Sequence, residues 1–134
     1  MPEVDLVLGN KEKLNPENYV LNTTQEQVLV SDIMQSREIS SHPINRFRSR
    51  TRALIQVQQG CDHSCTFCVI HKARGPSRSF KDSAVLAQVE QFISQGHREI
   101  VICGIDLGSF RLAENNNPAE AQGAGLVSLL KKID

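Results

Sequence analysis

Residues 53–68 read ALIQVQQGCDHSCTFC, and this stretch joins a strand pattern directly to three closely spaced cysteines. The apolar and β-branched side chains of residues 53–58 favour a β-strand. Gly60 ends the strand, and the thiols of Cys61, Cys65 and Cys68 follow within eight residues. The stretch therefore predicts a loop with reactive side chains at the end of a buried strand.

The sequence after the cysteines predicts a second strand between two helices. Apolar residues at helical spacing predict an amphipathic helix over 81–95, with Asp82 or Ser83 as its N-cap and Gly96 at its C-terminal end. The continuous apolar run 99–103 predicts a parallel strand covered on both faces. A second helix is predicted over 126–133, after the Gly- and Asn-rich residues 113–125. This alternation predicts an α/β fold with a parallel sheet.

The residues before 51 form a separate, shorter pattern. Residues 4–10 predict a buried strand that ends in a Gly-Asn turn, and residues 11–14 predict a short helix. Residues 22–50 are mostly polar, with one apolar run at 28–30, and predict a linker. The predicted organisation is thus a first piece over 1–21, a linker over 22–50 and a core over 51–134.

Two strand–helix units are too few to close a barrel or to cover both edges of a sheet. Residue 134 stands where a further strand is expected. The chain is therefore predicted to be a fragment of a longer protein.

The charges are balanced overall but unevenly placed. The chain has 15 Lys and Arg against 15 Asp and Glu, yet residues 46–81 hold eight basic residues and one acidic residue. This asymmetry is typical of a surface that binds a polyanion, and equally of a solvated linker. The sequence contains neither an apolar stretch of about 18–20 residues, which a membrane span needs, nor a signal peptide. The predicted location is the cytoplasm.

Three clustered thiols allow three interpretations. A disulfide accounts poorly for an odd number of thiols in a cytoplasmic protein. A structural zinc site needs four ligands, and His63 or His71 could supply the fourth. A four-iron cluster held by three thiolates leaves one iron without a protein ligand, and that iron can bind a substrate. The zinc and iron–sulfur interpretations both stay open on spacing alone.

Residues 60–70 and 73–79 resemble the radical S-adenosylmethionine methylthiotransferases. The family's cluster sequence is a Gly-Cys, then Cys-Thr/Ser-Phe-Cys, then an Arg-Gly and an Arg-Ser. Residues 104–110, GIDLGSF, resemble the branch that acts on threonylcarbamoyl-adenosine in tRNA. The isopentenyl-adenosine branch usually has Gly-Gln-Asn there, and the ribosomal-protein branch has Ala-Gln-Asp. The resemblance identifies 1–21 as the tail of an α/β N-terminal domain. It identifies 51–134 as the first two βα units of a partial parallel radical S-adenosylmethionine barrel.

The resemblance also implies a cofactor set. Cys61, Cys65 and Cys68 would ligate one 4Fe–4S cluster, and its fourth iron would bind S-adenosylmethionine. Reduced by an electron donor that the sequence does not identify, the cluster would cleave S-adenosylmethionine to a deoxyadenosyl radical. The outcome would be the 2-methylthio form of an adenosine next to the tRNA anticodon. The protein's part is to bind and orient these groups, since the cofactor carries the hard chemistry.

Other residues are given roles by the same resemblance. Phe67, Gly104 and Asp106 would lie near the cofactor, although loop packing, a turn glycine and a turn cap explain them equally well. Cys103 lies in an apolar run and is interpreted as a buried, inert residue. Several arginines could neutralise tRNA phosphates, or could equally be solvated. They are Arg46, Arg48, Arg50, Arg52, Arg74 and Arg78.

The sequence also departs from the family pattern. His71 and Lys72 stand where relatives commonly have Pro and an aromatic or polar residue. Family members carry three further cysteines for a second 4Fe–4S cluster, and none precedes Cys61 here. The second cluster is therefore expected only in the full-length parent, and the chain alone is expected to be inactive. The alternatives are another branch of the family and a non-catalytic zinc-binding RNA module; no oligomeric state is predicted.

Overall fold

The computed structural model describes residues 3–19, 27–36, 39, 51–111 and 125–134. The larger sheet has three strands, which are β3 (Arg52–Gln59), β4 (Arg78–Ser79) and β5 (Glu99–Gly104). Their order in the sheet is β4-β3-β5. Strands β3 and β5 are parallel, as predicted for both. The prediction that β5 is covered on both faces was wrong, because its residues are only partly buried or exposed. The short strand β4 pairs antiparallel to the end of β3 and was not predicted.

Three α-helices accompany this sheet among the described residues. They are α1 (Ile70–Arg74), α2 (Asp82–Ser94) and α3 (Leu126–Ile133). The structure confirms α2 and α3, whereas the single-turn helix α1 was not predicted. Because α2 connects the parallel strands β3 and β5, these elements form the βαβ unit of an α/β fold. None of the helices in the described part of the chain is long and apolar enough to cross a membrane.

The core lies between one face of β3 and helices α2 and α3. Every second residue of β3 is completely buried, from Ala53 through Ile55 to Val57, as the period of a strand requires. Phe92 of α2 and Leu129 of α3 are completely buried as well. The rings of His97 and Phe92 pack perpendicular to each other, with their centroids 5.3 Å apart. The core therefore fixes β3, whose carboxyl end leads directly into the cysteines.

The N-terminal residues form a smaller unit. Strand β1 (Val7–Leu8) pairs in parallel with β2 (Val28–Leu29), so the predicted strand 4–10 is shorter than expected and the apolar run 28–30 joins it. Short 3₁₀ helices flank the two strands, at Glu12–Leu14, Pro16–Tyr19 and Ile33–Gln35. The predicted linker thus contains regular structure, while the limits 1–21, 22–50 and 51–134 stay predictions.

The ends of α2 match the sequence at one terminus only. Lys81 occupies the N-cap position without a side-chain cap, so the prediction of Asp82 or Ser83 was wrong. Asp82 instead accepts hydrogen bonds from its neighbour's amide and, at 2.6 Å, from Lys132 of α3. Gly96 follows the helix with φ of 86°, as predicted for the residue that ends it.

The contact between α2 and α3 predicts a pH-dependent loss of stability. The hydrogen bond from Lys132 lowers the pKa of the Asp82 carboxyl, so the ionised form stabilises the fold above the ordinary Asp pKa of about 3.9. Asp82→Asn should reduce the free energy of unfolding by roughly 0.5 kcal/mol at pH 7. This deficit should shrink as the pH falls through the lowered pKa. Urea unfolding at pH 7 and pH 3 measures it, with the exposed Glu90→Gln as control; an equal deficit at both pH values would contradict the assignment.

Candidate functional site

The candidate site lies along the edge of the larger sheet that is formed by the carboxyl ends of its parallel strands. Because β3 and β5 are parallel, both carboxyl ends reach this edge, and the segments that follow them become neighbours. The cysteine loop, defined as residues 61–69, follows β3. A 3₁₀ turn at Leu107–Ser109 follows β5. Side chains from two separate parts of the sequence are thereby brought together.

The cysteine loop is held mainly by backbone hydrogen bonds. The amide of Cys61 donates to the Gly75 carbonyl at 3.1 Å, and the amide of Cys68 donates to the Cys65 carbonyl at 3.0 Å. The carboxylate of Asp62 accepts a 2.8 Å bond from the Ser77 amide. The two ends of the loop and its middle are thus positioned without any contribution from the thiols.

All three thiols are free. Cys65 is exposed, and Cys61 and Cys68 are partly exposed. Cys103 is also a free thiol, but it belongs to β5, where its Sγ lies 3.6 Å from the Val101 carbonyl. It is partly exposed, so the interpretation of Cys103 as a buried residue was wrong. Within the described ranges, no three His, Cys, Asp or Glu side chains converge on the position of a single metal ion. A cluster does not require such convergence, because each of its thiolates binds a different iron.

A polar contact joins the cysteine loop to the turn after β5. His63 Nε2 lies 3.2 Å from Asp106 Oδ2. The same oxygen accepts a 2.5 Å hydrogen bond from the hydroxyl of Ser109. The Ser109 bond, followed by the charge interaction with His63, holds the pKa of the Asp106 carboxyl below its usual value. The Asp106 carboxylate therefore binds a side chain of its own turn and also contacts the cysteine loop. Asp106 occupies the N-cap position of the turn, but its side chain forms no capping hydrogen bond with a backbone amide.

The other two residues predicted near the cofactor lie at the same edge. The side chain of Phe67 is 91% exposed, so it takes no part in core packing. Gly104 ends β5, and a Cβ there would lie 2.6 Å from a methyl group of Leu107 and 3.1 Å from the Gln58 side chain. Gly104 thus permits a close approach between the end of β5 and its neighbours. Contact of either residue with a cofactor stays a prediction.

The arginines predicted to bind RNA separate into three groups. Arg74 and Arg78 are partly buried and contact the N-terminal unit: Arg74 donates to Asn10 Oδ1 and Arg78 to Ser36 Oγ, each at 2.8 Å. Burial lowers the pKa of the Arg78 guanidinium. Arg52 is largely exposed and pairs with Glu99 at 2.7 Å. Three further arginines lie outside the described residues, and these are Arg46, Arg48 and Arg50.

The contacts of Arg74 predict an effect on stability. Arg74→Ala removes a hydrogen bond between residues 64 positions apart in sequence, so the free energy of unfolding should fall by about 1–2 kcal/mol. Chemical unfolding measures this, with the exposed Arg98→Ala as the control that should stay within about 0.5 kcal/mol of wild type. Arg74 would instead be identified as a phosphate ligand if two results came together. The stability of Arg74→Ala would be unchanged, and the slope of log tRNA affinity against log salt concentration would fall by about one unit.

The site also contains a residue that the sequence analysis missed. Gln58 is completely buried at the end of β3 and forms hydrogen bonds to both sides of the site. In the sequence it reads as one more polar residue of a strand with alternating pattern. The one available signal was the adjacent pair Gln58-Gln59, which interrupts that alternation next to Gly60.

The donor set fits the iron–sulfur interpretation. Thiolates are the ligands of iron–sulfur clusters, and three free thiols lie on one loop where solvent reaches at least one of them. Of the two histidines weighed as zinc ligands, His63 faces Asp106. His71 lies in α1, and its Nδ1 is buried without a hydrogen-bond partner.

The fold and the site define an α/β protein with a three-cysteine loop at the carboxyl edge of two parallel strands. No model of a protein family matches the chain. The chain is 42% identical over 122 residues to threonylcarbamoyladenosine tRNA methylthiotransferase MtaB of Rickettsia prowazekii. The aligned region covers 91% of the chain and 28% of that protein. Identity to the Bacillus subtilis protein of the same name is 35%, covering 82% of the chain and 25% of that protein. The tRNA-2-methylthio-N(6)-dimethylallyladenosine synthase of Clostridium perfringens is 31% identical, with 81% and 25% covered. Over most of its length the chain is therefore similar to curated methylthiotransferases, and it spans about a quarter of the length of these relatives.

Proposed function

We propose that this chain carries the cluster-binding part of a radical S-adenosylmethionine enzyme that methylthiolates tRNA. Its substrate would be the threonylcarbamoyl-adenosine next to the anticodon, which is converted to the 2-methylthio derivative. The observation that carries the proposal is the set of three free thiols on one loop at the carboxyl edge of β3, beside the end of β5. Active sites of parallel α/β folds are built at this edge.

The residues of the chain would divide the work between binding and positioning. Cys61, Cys65 and Cys68 would hold a 4Fe–4S cluster through three of its irons, which leaves the fourth for S-adenosylmethionine. When bound and reduced by an electron donor, these groups supply the radical chemistry. The backbone hydrogen bond from Cys61 to Gly75 positions the main chain that carries the first thiol. The turn after β5, in which Asp106 accepts from Ser109 and contacts His63, would face the cluster.

Two features support the choice of tRNA substrate. Residues 104–110 resemble the branch that acts on threonylcarbamoyl-adenosine. The relatives named for that nucleoside are 32–42% identical to the chain, against 31% for the relative named for dimethylallyladenosine. A tRNA substrate would place the enzyme in the cytoplasm. Because the chain spans about a quarter of these relatives, the complete reaction is proposed for the whole protein rather than for these residues alone.

Anaerobic reconstitution of the chain with iron and sulfide tests the cluster. The expected product is brown, absorbs visible light and contains about four irons per chain. A colourless product that retains one zinc ion and rejects iron would overturn the cluster and support the zinc-binding alternative.

The nucleosides of tRNA test the substrate. Total tRNA from a strain that lacks the gene should lose 2-methylthio-threonylcarbamoyl-adenosine, measured by mass spectrometry, and keep its unmethylthiolated precursor. Loss of the isopentenyl form instead, with the threonylcarbamoyl form intact, would assign the protein to the other tRNA branch.

A further inference from the structure

Gln58 lies on the buried side of β3 because the strand contains a β-bulge. In strict alternation Gln58 would share the exposed face with Leu54 and Gln56. The pairing with β5 shifts at this point: Gln56 pairs with Cys103 and Gln58 with Gly104, so Val57 is an extra residue. A bulge of this kind re-aims one side chain at the end of a strand. Gln58 is turned inward and becomes completely buried.

The buried carboxamide of Gln58 has partners for both of its donors and for its oxygen. Its Nε2 donates to the Gly60 carbonyl at 2.8 Å and to Ser77 Oγ at 3.0 Å. Its Oε1 accepts from the Asp106 amide at 2.8 Å, across 48 residues of sequence. One side chain therefore contacts the start of the cysteine loop, the segment before β4 and the turn after β5. The carboxamide of Gln supplies both the donors and the acceptor that these contacts use.

We propose that the Gln58 carboxamide is a positioning residue that sets the distance between the cysteine loop and the turn after β5. The proposal rests on the proposed function, in which the first segment holds the cluster and the second faces S-adenosylmethionine and substrate. A shift between the two segments would leave the thiols in place but misalign the groups that must meet. Binding of S-adenosylmethionine to the cluster then depends on Gln58, while loading of iron does not.

Two substitutions of Gln58 separate this role from packing. Gln58→Met keeps the length and volume of the side chain and removes all of its strong hydrogen bonds, whereas Gln58→Glu keeps the shape but has no donor for Gly60 or Ser77. Gln56→Met and Gln56→Glu are the matched controls, since Gln56 lies two residues earlier on the exposed face of the same strand.

The first measurement is made on the full chain reconstituted with iron and sulfide. Gln58→Met should bind wild-type amounts of iron but need about tenfold more S-adenosylmethionine to change the electron paramagnetic resonance spectrum of the reduced cluster. The Gln56 variants should titrate like wild type. An unchanged titration in both Gln58 variants would overturn the proposal. Joint loss of iron and of folded structure in both variants would also overturn it, because the residue would then be purely structural.

The second measurement needs no cluster. In the metal-free chain, deuterium exchange of peptides covering 104–109 should be about tenfold faster in Gln58→Met, because the Asp106 amide loses its acceptor. Peptides from α2 should exchange as in wild type. Faster exchange everywhere, or nowhere, would contradict the proposal. If wild type takes up no iron at all, the proposed function fails, whereas this exchange experiment still tests the link between the two segments.

Discussion

Gly60→Ala is expected to destabilise the protein by at least about 3 kcal/mol and to prevent iron from binding to the cysteine loop. Gly60 has φ of 78°, a conformation that costs a residue with a Cβ about 1–2 kcal/mol. The Cβ would also lie 2.0 Å from the Pro76 carbonyl oxygen and 2.7 Å from that of Gly75, both of which belong to backbone and cannot rotate away. The strand end or the Gly75–Pro76 segment must therefore move, and the Cys61–Gly75 hydrogen bond is lost with it.

Gly96→Ala is the matched control for this prediction. Gly96 has nearly the same backbone angle, φ of 86°, but a Cβ there would meet no atom within 4 Å. Gly96→Ala should cost only the same conformational penalty, about 1–2 kcal/mol, and leave iron binding intact. Urea unfolding and iron content per chain measure both variants. Equal losses of stability in the two variants would show that the close approach at Pro76 does not constrain the loop.

Much of the fold was predictable because its signals are local. Alternating apolar residues identify β3, helical spacing identifies α2 and α3, and the apolar run before Gly104 identifies β5. The elements that the sequence analysis missed or misjudged depend on other parts of the chain. Strand β2 has two residues and exists through its pairing with β1, and β4 through its pairing with the end of β3. Such short strands have no periodicity of their own.

The site was predictable in its chemistry and not in its geometry. Spacing alone singled out the three thiols, because reactive side chains can be recognised by type. The roles of Gln58 and Arg74 could not be recognised in that way. A β-bulge turns Gln58 inward, and Arg74 is engaged by an asparagine 64 residues away. A polar residue in a strand and an arginine in a basic segment have many uses, and the tertiary contacts decide among them.

Single replacement of Cys61, Cys65 or Cys68 by Ala is expected to have the largest effect on the proposed cofactor. A four-iron cluster with three protein ligands already has one iron without a protein ligand, and loss of another thiolate leaves two such irons. Each variant should retain less than about a tenth of the wild-type iron after desalting, since removal of a metal ligand costs more than the loss of an outer-shell partner, which is about 10–100-fold in affinity. Visible absorption and iron content per chain measure the loss.

Cys103→Ala is the control for the three substitutions in the cysteine loop. Cys103 is a free thiol of the same chain, but it lies within β5, where its sulfur faces the carbonyl of Val101. Its replacement should leave the iron content at the wild-type level and change stability by about 1 kcal/mol at most. Because the backbone bonds of the cysteine loop do not involve the thiols, the three loop variants should also keep wild-type unfolding midpoints in the metal-free state. Loss of iron in Cys103→Ala but not in Cys65→Ala would place the cluster elsewhere. Equal loss in all four variants would mean that iron is bound without a defined ligand set.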